Sequence, residues 1–500
     1  MLFADVVAAS ATVAATRSRL AKIQAAADLL RRLAPEEVEP VVAWLAGEPR
    51  QGRIGTGWRT LSAIETAPAD VPGLTVAAVD SALTTIAGTS GAGSVQRRAD
   101  TLGRLFGAAT ADEQAFLRRL LTGELRQGAL EGVMVAAVAA ASGCPLDAVR
   151  RAFMLSGRLP DTAAAALGGG TPALAGIGLE VGRPVRPMLA ATASSLDEAL
   201  AELGTEVAVE YKLDGARIQV HRDGSDVGVF TRSLRDITPA VPELVVWALA
   251  LPCRSVVLDG ESLALTDEGR PRPFQESVSL AGAGVQRPNV FDCLHLDGQD
   301  LIDLPLLQRL DTVTAVAGPE RIPGRIRPDP AGAAAVLTDS LASGHEGVMV
   351  KALGSPYAAG RRGRAWQKVK PVHTFDLVVL GAEWGYGRRT GMLSNIHLGA
   401  LDTDGEPVMV GKTFKGMTDE LLAWQTATFP ALSTGTDGHV VYLRPELVVE
   451  IALDGVQHST RYPGGLALRF ARVLRYRPDK SPAEADSLTA LRALLVAYDG

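Results

Sequence analysis

Cysteine is almost missing from this chain of 500 residues, with only Cys144, Cys253 and Cys293, far apart. Three scattered cysteines build neither a disulfide framework nor a zinc site. No apolar run approaches the length of a membrane span. The opening MLFADVVAASATVAATRSRLAK has no basic leader ahead of its apolar part, so it does not read as a signal peptide. Together these absences predict a reducing cytoplasm as the protein's home and no membrane. A basic excess is lacking too: the net charge is −6 and the pI about 5.8. That excludes a uniformly basic nucleic-acid coat but leaves room for a local groove. What remains is 47% apolar and 21% charged, enough in a chain this long for about three domains with cores of their own.

Lysine is the scarcest common charge, eight residues against 42 arginines. Five of the eight, Lys212, Lys351, Lys368, Lys370 and Lys480, fall in segments that stand out on other grounds. Arginine cannot give up its proton, whereas lysine can become an amine. Keeping lysine at those positions suggests chemistry that arginine cannot perform. The segment around Lys212, EYKLDGARIQVH at 210–221, alternates apolar and polar residues and breaks at Leu213-Asp214-Gly215. Period-two alternation predicts a strand and Asp-Gly a turn. Lys212 is then expected at a strand end facing a cleft, where a free amine would be a nucleophile.

Along the chain, residues 1 to about 165 carry apolar residues at helical spacing (2–33, 41–45, 102–106, 116–130), with glycine-rich breaks at 52–57, 88–93, 128 and 132. Arginines gather near those breaks: Arg50, Arg53 and Arg59; Arg97, Arg98 and Arg104; Arg118, Arg119 and Arg126. Arginine beside glycine lets a guanidinium and a backbone N–H meet one phosphate, which positions without reading sequence. A plain solvated helical bundle is the competing reading. LGGGTPALAGIGLEVG at 167–182 is read as a connector, and no Gly-Lys-Ser/Thr follows its glycines to make a phosphate loop. Strands are expected at 207–211, 217–221, 227–231, 255–258, 290–294 and 347–351, with helices at 195–203, 242–249, 306–316 and 333–343, an α+β pattern. From about 373 the pattern changes to short strands (376–383, 397–401, 407–413, 447–453) with turns at Asp404-Gly405 and Asp454-Gly455. A small barrel of the OB type, common in nucleic-acid binding, suits them. Gly411-Lys412-Thr413 imitates the end of a Walker A loop, but Glu406 stands where its first glycine belongs.

Five further segments pair a strand-like stretch with charges: TRSLRDIT with Arg232, LDGES with Asp259 and Glu261, VFDCLHLDG with Phe291, HEGVMVK with Glu346 and Lys351, and WQKVKP with Lys368 and Lys370. Singly, each has an ordinary explanation as core or solvated face. Jointly they hold a nucleophile, carboxylates for Mg2+, cations for phosphate and an aromatic platform for a base.

In motif order and spacing, 183–480 resembles the ATP-dependent DNA ligases of the covalent nucleotidyltransferase superfamily, ending in RFARVLRYRPDK. TRSRLAK near residue 16 and ELRQGALEG at 124–132 look like the helical DNA-binding domain of the three-domain members. The resemblance implies an all-α DNA-binding domain at 1–170, an α+β adenylation (nucleotidyltransferase) domain at 183–372 and an OB-fold β-barrel at 373–500. It implies ATP as the nucleotide, Mg2+ as the metal with Mn2+ as an alternative, and nicked duplex DNA as the partner, held mostly by its backbone. It also implies a monomer, cytoplasmic and bound to the nucleoid through DNA. Lys212 would attack the α-phosphate and carry AMP. Glu210 would meet the adenine edge and Phe291 stack on the ring, while Asp214 and Arg217 organise ribose and phosphates. Lys351, Lys368 and Lys370 would hold the α-phosphate. Glu261 and Glu346 look like the metal carboxylates, with Asp259 grouped beside them in support of Glu261. Arg232, counted with the nucleotide-binding set, is similar to the arginine that grips the 5′-phosphate of the nick. Arg477, Asp479 and Lys480 resemble the barrel motif that orients leaving pyrophosphate. Ala471 departs from the family, which often has proline there, a matter of local backbone stiffness. The alternative is an RNA ligase or capping-type nucleotidyltransferase, against which the long helical N-terminal part argues. An NAD-dependent relative would need a four-cysteine zinc module that three cysteines cannot supply.

Overall fold

The computed structural model describes residues 1–499 except 53, 126–129, 265–285, 360–361 and 387–388. From Phe3 to Ala175 the described chain forms ten helices. Their starts carry the expected chemistry: Ser18, Thr75 and Thr110 each accept a backbone N–H as N-cap, and Glu113 closes a capping box with Thr110. The apolar stripes meet around Trp44, whose ring packs edge-on against Phe3 at 5.5 Å, with Phe116 5.6 Å from Phe3 on another side.

Two expectations for this region change. The connector read at 167–182 is partly helix, because Leu159–Ala175 runs through the triple glycine and breaks only at Gly170, where φ is +63°. Buried Ala163, Ala166 and Leu174 pin that helix to the core, which outweighs the helix-breaking tendency of glycine. The arginines near the loops also spend donors on the protein itself. Arg50 grips Asp80 through two nitrogens, Arg97 donates to the carbonyls of Ser90 and Ala92, and Arg118 donates to those of Leu61 and Ile64. Carbonyls left free by irregular loops need donors, and a planar fork supplies several at once. Arg53, Arg126 and Gly128 lie outside the described residues.

Beyond the helices come two five-stranded sheets. The first has the order β1 (Leu189–Thr192), β10 (Arg362–Val369), β9 (Gly347–Ala352), β2 (Val207–Lys212), β8 (Gly324–Ile326). The second runs β4 (Asp226–Thr231), β3 (Ala216–Asp223), β5 (Ser255–Ala264), β6 (Gln286–Leu296), β7 (Gln299–Asp300). Val207 and Val209 of β2 and Val348 and Val350 of β9 face the helices Leu196–Leu203 and Pro330–Ala342. Strand alternation therefore turns the intervening residues, Glu210, Lys212, Met349 and Lys351, toward the opposite side. The second sheet backs onto Pro242–Ala250 and Leu306–Ala317 through Val256, Leu258 and Cys293. Between the sheets lie Leu213, Leu263, Phe291, Tyr357 and Trp366, joined by Met154 and Leu155 from the last turns of the helix Leu146–Ser156.

The C-terminal part is a curved seven-stranded sheet, β13 (Pro407–Thr413), β12 (Leu393–Leu401), β11 (His373–Trp384), β15 (Val440–Leu443), β14 (Ser433–Asp437), with β16 (Val448–Leu453) joining β11 to β19 (Arg472–Tyr476). The hairpin of β17 (Gly455–His458) and β18 (Leu466–Arg469) lies beside it. The helices Asp419–Thr428 and Leu488–Asp499, which the strand pattern does not predict, pack Leu422 and Leu491 into the barrel core. Among the described residues no helix is long and apolar enough to cross a membrane.

The segment that follows the helices is tied to the back of β3. Gly182 donates its N–H to His221 Nδ1 at 3.0 Å, and Gln219 brackets Val185 with bonds of 3.0 and 2.6 Å. Burial, with His295 nearby, pushes the His221 imidazole down to about 3. In the unfolded chain a histidine titrates near 6.5, so between about 6.5 and 3 the unfolded state takes up a proton that the folded state refuses. Stability from His221 is therefore full above 6.5 and falls as pH drops toward 3. Denaturant midpoints should decline from pH 7.5 to 4.5, and His221→Gln should flatten that decline. An equal slope in the variant would remove His221 as its source.

Candidate active site

The cleft between the two sheets is built from register. Lys212 lies opposite Gly347, Glu210 opposite Met349 and Ala208 opposite Lys351, while Lys351 pairs across with Trp366 and Met349 with Lys368. Opposed residues of antiparallel strands share a face, so one sheet face carries Glu210, Lys212, Lys351, Trp366 and Lys368. Lys370 follows at the end of β10. Gly347 sits there at φ +138°, and a Cβ on it would lie 2.2 Å from the Val369 carbonyl. Only glycine lets the chain turn from Glu346 into β9 so close to β10. Gly215 answers a similar need. A Cβ there would come within 2.4 Å of Ser262 O, so the bare backbone lets the Asp214 turn press against β5 beside Glu261.

At the mouth, Glu346 takes both lysines. Its Oε2 contacts Lys212 Nζ, and its Oε1 is 2.6 Å from Lys370 Nζ. Burial by itself would raise this carboxyl, but the two ammonium groups outweigh it and hold it below the usual range. Glu261 faces the same space and behaves oppositely. Burial pushes its carboxyl up to about 7 despite Lys212 and Arg217. Among the described residues the Glu261 carboxylate has no hydrogen-bond or ion-pair partner, so a cation arriving beside it would relieve a cost now standing. The described residues contain no cluster of three or more His, Cys, Asp or Glu that could hold a metal alone. Mg2+ fits such a place, since it commonly takes one or two carboxylates and fills its shell with water and phosphate oxygens.

Deeper in, Arg217 donates to both oxygens of Asp259 at 3.1 and 2.7 Å and to the Met188 carbonyl at 2.7 Å. Burial disfavours its charge, but Asp259 more than offsets that, and the guanidinium stays cationic. Tyr357 donates its hydroxyl to Asp259 Oδ2 at 2.6 Å and accepts the Met188 N–H at 3.0 Å. Asp259 is thus fully engaged beneath Arg217, which lies 5.2 Å from the Phe291 ring. One residue after Phe291, Asp292 is clamped by Arg309 at 2.7 and 3.1 Å with both side chains wholly buried, which fixes the strand that presents the ring. Lys351 is also placed deep, against Glu210 at 2.6 Å and over the rings of Phe291 and Trp366. It is not among the charges around Glu346.

Of the other sequence-derived residues, Arg232 stands exposed in the turn after β4, with no partner among the described residues. Asp214 is held by Arg469 of β18 at 3.1 Å, and burial raises its carboxyl. Arg477 and Lys480 are not at the cleft. Both bind Asp376, at 3.0 and 2.6 Å, and Asp479 binds Arg477. No hydrogen bond or ion pair joins 477–480 to 183–372 among the described residues. The barrel instead offers Arg469 and, 3.8 Å from Lys370, Asp454. Sequence reasoning missed Tyr357 and Arg469. Arg469 opens the RFARVLRYRPDK segment, which stands out in sequence for its other end, while Tyr357 lies in SPYAAG with no pattern around it.

Comparison with known proteins fits this arrangement. Family models match at 187–370 (ATP dependent DNA ligase domain), 389–480 (ATP dependent DNA ligase C terminal region) and 59–139 (DNA ligase N terminus). A protein of Rhodococcus jostii named "Probable DNA ligase" is 66% identical, with 99% of this chain and 100% of that one covered. One of the same name from Nocardia farcinica is 61% identical with the same coverage. The chain belongs to the ATP-dependent DNA ligases. A solved structure named Pmar-Lig_PreS3, 16% identical, covers 94% of this chain and 99% of its own with a TM-score of 0.61, and supports the shared three-part fold. The enzyme is accordingly a DNA ligase that uses ATP, and sealing nicks is the reaction of its family.

In this ligase the hydroxyl of Tyr357 adds a further hold on Asp259 beneath Arg217. Tyr357→Phe leaves Asp259 Oδ2 and the Met188 N–H each short of a buried partner, at a cost of about 1–3 kcal/mol. Equilibrium unfolding should register that loss, and KM for ATP should rise as Arg217 loosens. Unchanged stability would show that the hydroxyl bears no weight.

Proposed function

We propose that this cleft binds ATP with its base at Phe291 and its phosphates at Lys212 and Lys370, and that the enzyme seals nicks in duplex DNA through an AMP carried on Lys212. The observation that carries the reading is the convergence of Lys212, Glu346, Lys370 and the unpartnered Glu261 on one space. Glu346 holds the Lys212 amine at the cleft mouth, while Lys370 and Lys368 offer charge to oxygens on which it builds. Once the Lys212 ammonium has given up a proton to water, the amine attacks the α-phosphorus, a P–N bond forms, the bond to the β-phosphate breaks, pyrophosphate leaves with the bonding pair, and the nitrogen's second proton passes to water. A 5′-phosphate oxygen of DNA then takes the AMP and returns Lys212 as an amine. Last, the neighbouring 3′-hydroxyl attacks that 5′-phosphorus and AMP departs with the bonding pair. Mg2+ on Glu261 and Glu346 would neutralise phosphate charge. Asp259 serves as the anchor of Arg217, and Asp214 and Arg217 lie beside the ribose. Exposed Arg232 is free to grip the 5′-phosphate.

Three units, 1–170 with its last helix running on, 183–372 and 373–500, would clasp the duplex and hold both ends in line. Arg477, Asp479 and Lys480 would reach pyrophosphate only when the barrel turns that face to the cleft. We infer a monomer that works in the cytoplasm on nucleoid DNA.

Incubation with α-labelled ATP should label the protein, and nicked duplex should discharge the label into sealed DNA. Lys212→Arg should take no label at all, since a guanidinium has no free amine to offer. Labelling by GTP, or sealing of RNA but not of nicked DNA, would move the enzyme to the capping or RNA-ligase branch. A clamp on about six phosphates should lose roughly a thousandfold in affinity for a nicked duplex between 50 and 200 mM salt. Affinity that stays flat across that range would contradict backbone clasping.

A further inference from the structure

The helix Leu146–Ser156 belongs to two cores at once. Val149, Ala152 and Phe153 pack into the helical unit, whereas Met154 and Leu155, 3% and 1% exposed, enter the core between the two five-stranded sheets. The turn that follows leaves no slack. Gly157 has a φ of +69°, and a Cβ on it would lie 3.0 Å from the Pro184 carbonyl and 3.1 Å from Leu234 Cδ1. The Met154 carbonyl accepts the Arg186 N–H at 2.9 Å, and the Arg186 guanidinium lies 4.3 Å from the Phe153 ring. The same helix also meets the sheet unit through an exposed pair, Arg151 with Asp303 at 2.7 Å. Contact between the units therefore does not by itself require a buried thioether.

What Met154 meets in that core is the segment that carries Tyr357. Its sulfur accepts the Ala359 N–H at 3.1 Å, and one residue earlier the Ala358 N–H goes to the Met188 sulfur at 3.4 Å. Two thioethers thus take the two N–H groups that follow the tyrosine. A thioether is a weak acceptor, but its long unbranched arm can reach in from another unit and fill an irregular gap. Tyr357 in turn accepts the Met188 N–H and donates its hydroxyl to Asp259, which holds Arg217. The end of a helix from the first unit thereby reaches Arg217 by way of Ala359, Tyr357 and Asp259.

We propose that Met154 is a positioning residue for the nucleotide: through the segment of Tyr357 it sets where Asp259 holds Arg217, so that the helical unit shapes the ATP site in addition to its part in the clasp on DNA. This deepens the proposed function and rests on its reading of Arg217 as lying beside the ribose. The competing account is plain packing, in which Met154 matters as volume alone. The two differ in which property of the side chain counts, its acceptor or its bulk.

Variants of the whole chain separate them, with KM for ATP measured in formation of the AMP adduct and stability by equilibrium unfolding. Met154→Leu keeps the bulk and removes the acceptor, a volume-conserving swap that cores tolerate. Its unfolding midpoint should stay close to wild type, while KM for ATP rises about three- to tenfold with kcat nearly unchanged, because the Ala359 N–H has lost its partner. Met154→Gln does the reverse, since its amide oxygen accepts again but its amide nitrogen is buried without an acceptor. It should lower the midpoint and bring KM back toward the wild-type value. Added to Tyr357→Phe, Met154→Leu should raise KM little further, because both cut one route. A KM unmoved by Met154→Leu, a KM that tracks the unfolding midpoint across the variants, or independent effects of Met154→Leu and Tyr357→Phe would each overturn the proposal. Should Met154→Gln fail to fold, the leucine variant and its combination with Tyr357→Phe still decide. Arg151→Ala, which loosens the same helix on its exposed side, should leave KM alone; an equal rise there overturns the proposal in favour of docking of the helix as a whole. A wild type that takes no label from ATP would instead overturn the reading of the cleft itself.

Discussion

Everything in the cleft depends on one electrostatic constraint: cations packed beside an apolar core must each be matched by a carboxylate. Among the described residues such matches include Lys212 and Lys370 on Glu346, Lys351 on Glu210, and Arg217 on Asp259. At 4 Å and an effective dielectric near 20, a pair of unit charges attracts by about 4 kcal/mol, and removing either partner leaves the other buried and costly. The matching has a gradient. Asp259 and Glu210 are sealed inside, whereas Lys212 and Lys370 keep about a fifth of their side-chain surface, 21% and 18%. The inner pairs are therefore fixed scaffolding. The outer trio is the part open to an exchange of partners, as a triphosphate placed at Lys212 and Lys370 in the proposed reading would require.

The alternation that makes this face is legible in the amino-acid order alone. Val207–Lys212 ends at Lys212 as its pattern predicts, and Gly347–Ala352 follows directly on Glu346. The motif order likewise reveals the three-part fold and the chemistry of the family. Partnership is not legible. Lys351 and Lys370 look alike in sequence, and only the register of β2, β9 and β10 shows that one meets Glu210 at the inner end and the other Glu346 at the mouth. Tyr357 gives no signal, because a hydroxyl's value lies in three groups distant along the chain: Met188, Arg217 and Asp259. The loop arginines mislead for a related reason. Composition says that a guanidinium is present but not how many of its donors the neighbouring carbonyls already occupy, as Arg97 and Arg118 show.

The barrel illustrates how weak contacts can serve a sequence of steps. It meets the cleft through Arg469 on Asp214 and the longer approach of Asp454 to Lys370. Arg469 and Asp214 keep 21% and 19% of their side-chain surfaces, which places their pair nearer to surface ion pairs, worth about 1 kcal/mol or less, than to the sealed pairs beneath. Meanwhile Arg477 and Lys480 both pair with Asp376 within the barrel. One cleft has no room for both faces of one barrel. If Arg477 and Lys480 serve the departure of pyrophosphate, they must leave Asp376 and take the place that Arg469 occupies. The two seats differ: Arg477 is bound by both Asp376 and Asp479, and Lys480 by Asp376, whereas Arg469 meets Asp214 at 3.1 Å. A triphosphate in the cleft would then supply the negative charge to draw Arg477 and Lys480 inward. Once pyrophosphate had gone that attraction would go too, and Asp214 would again offer Arg469 a partner. On that reading the charge of the nucleotide, rather than any strong contact between the units, would set which face of the barrel is turned to Lys212.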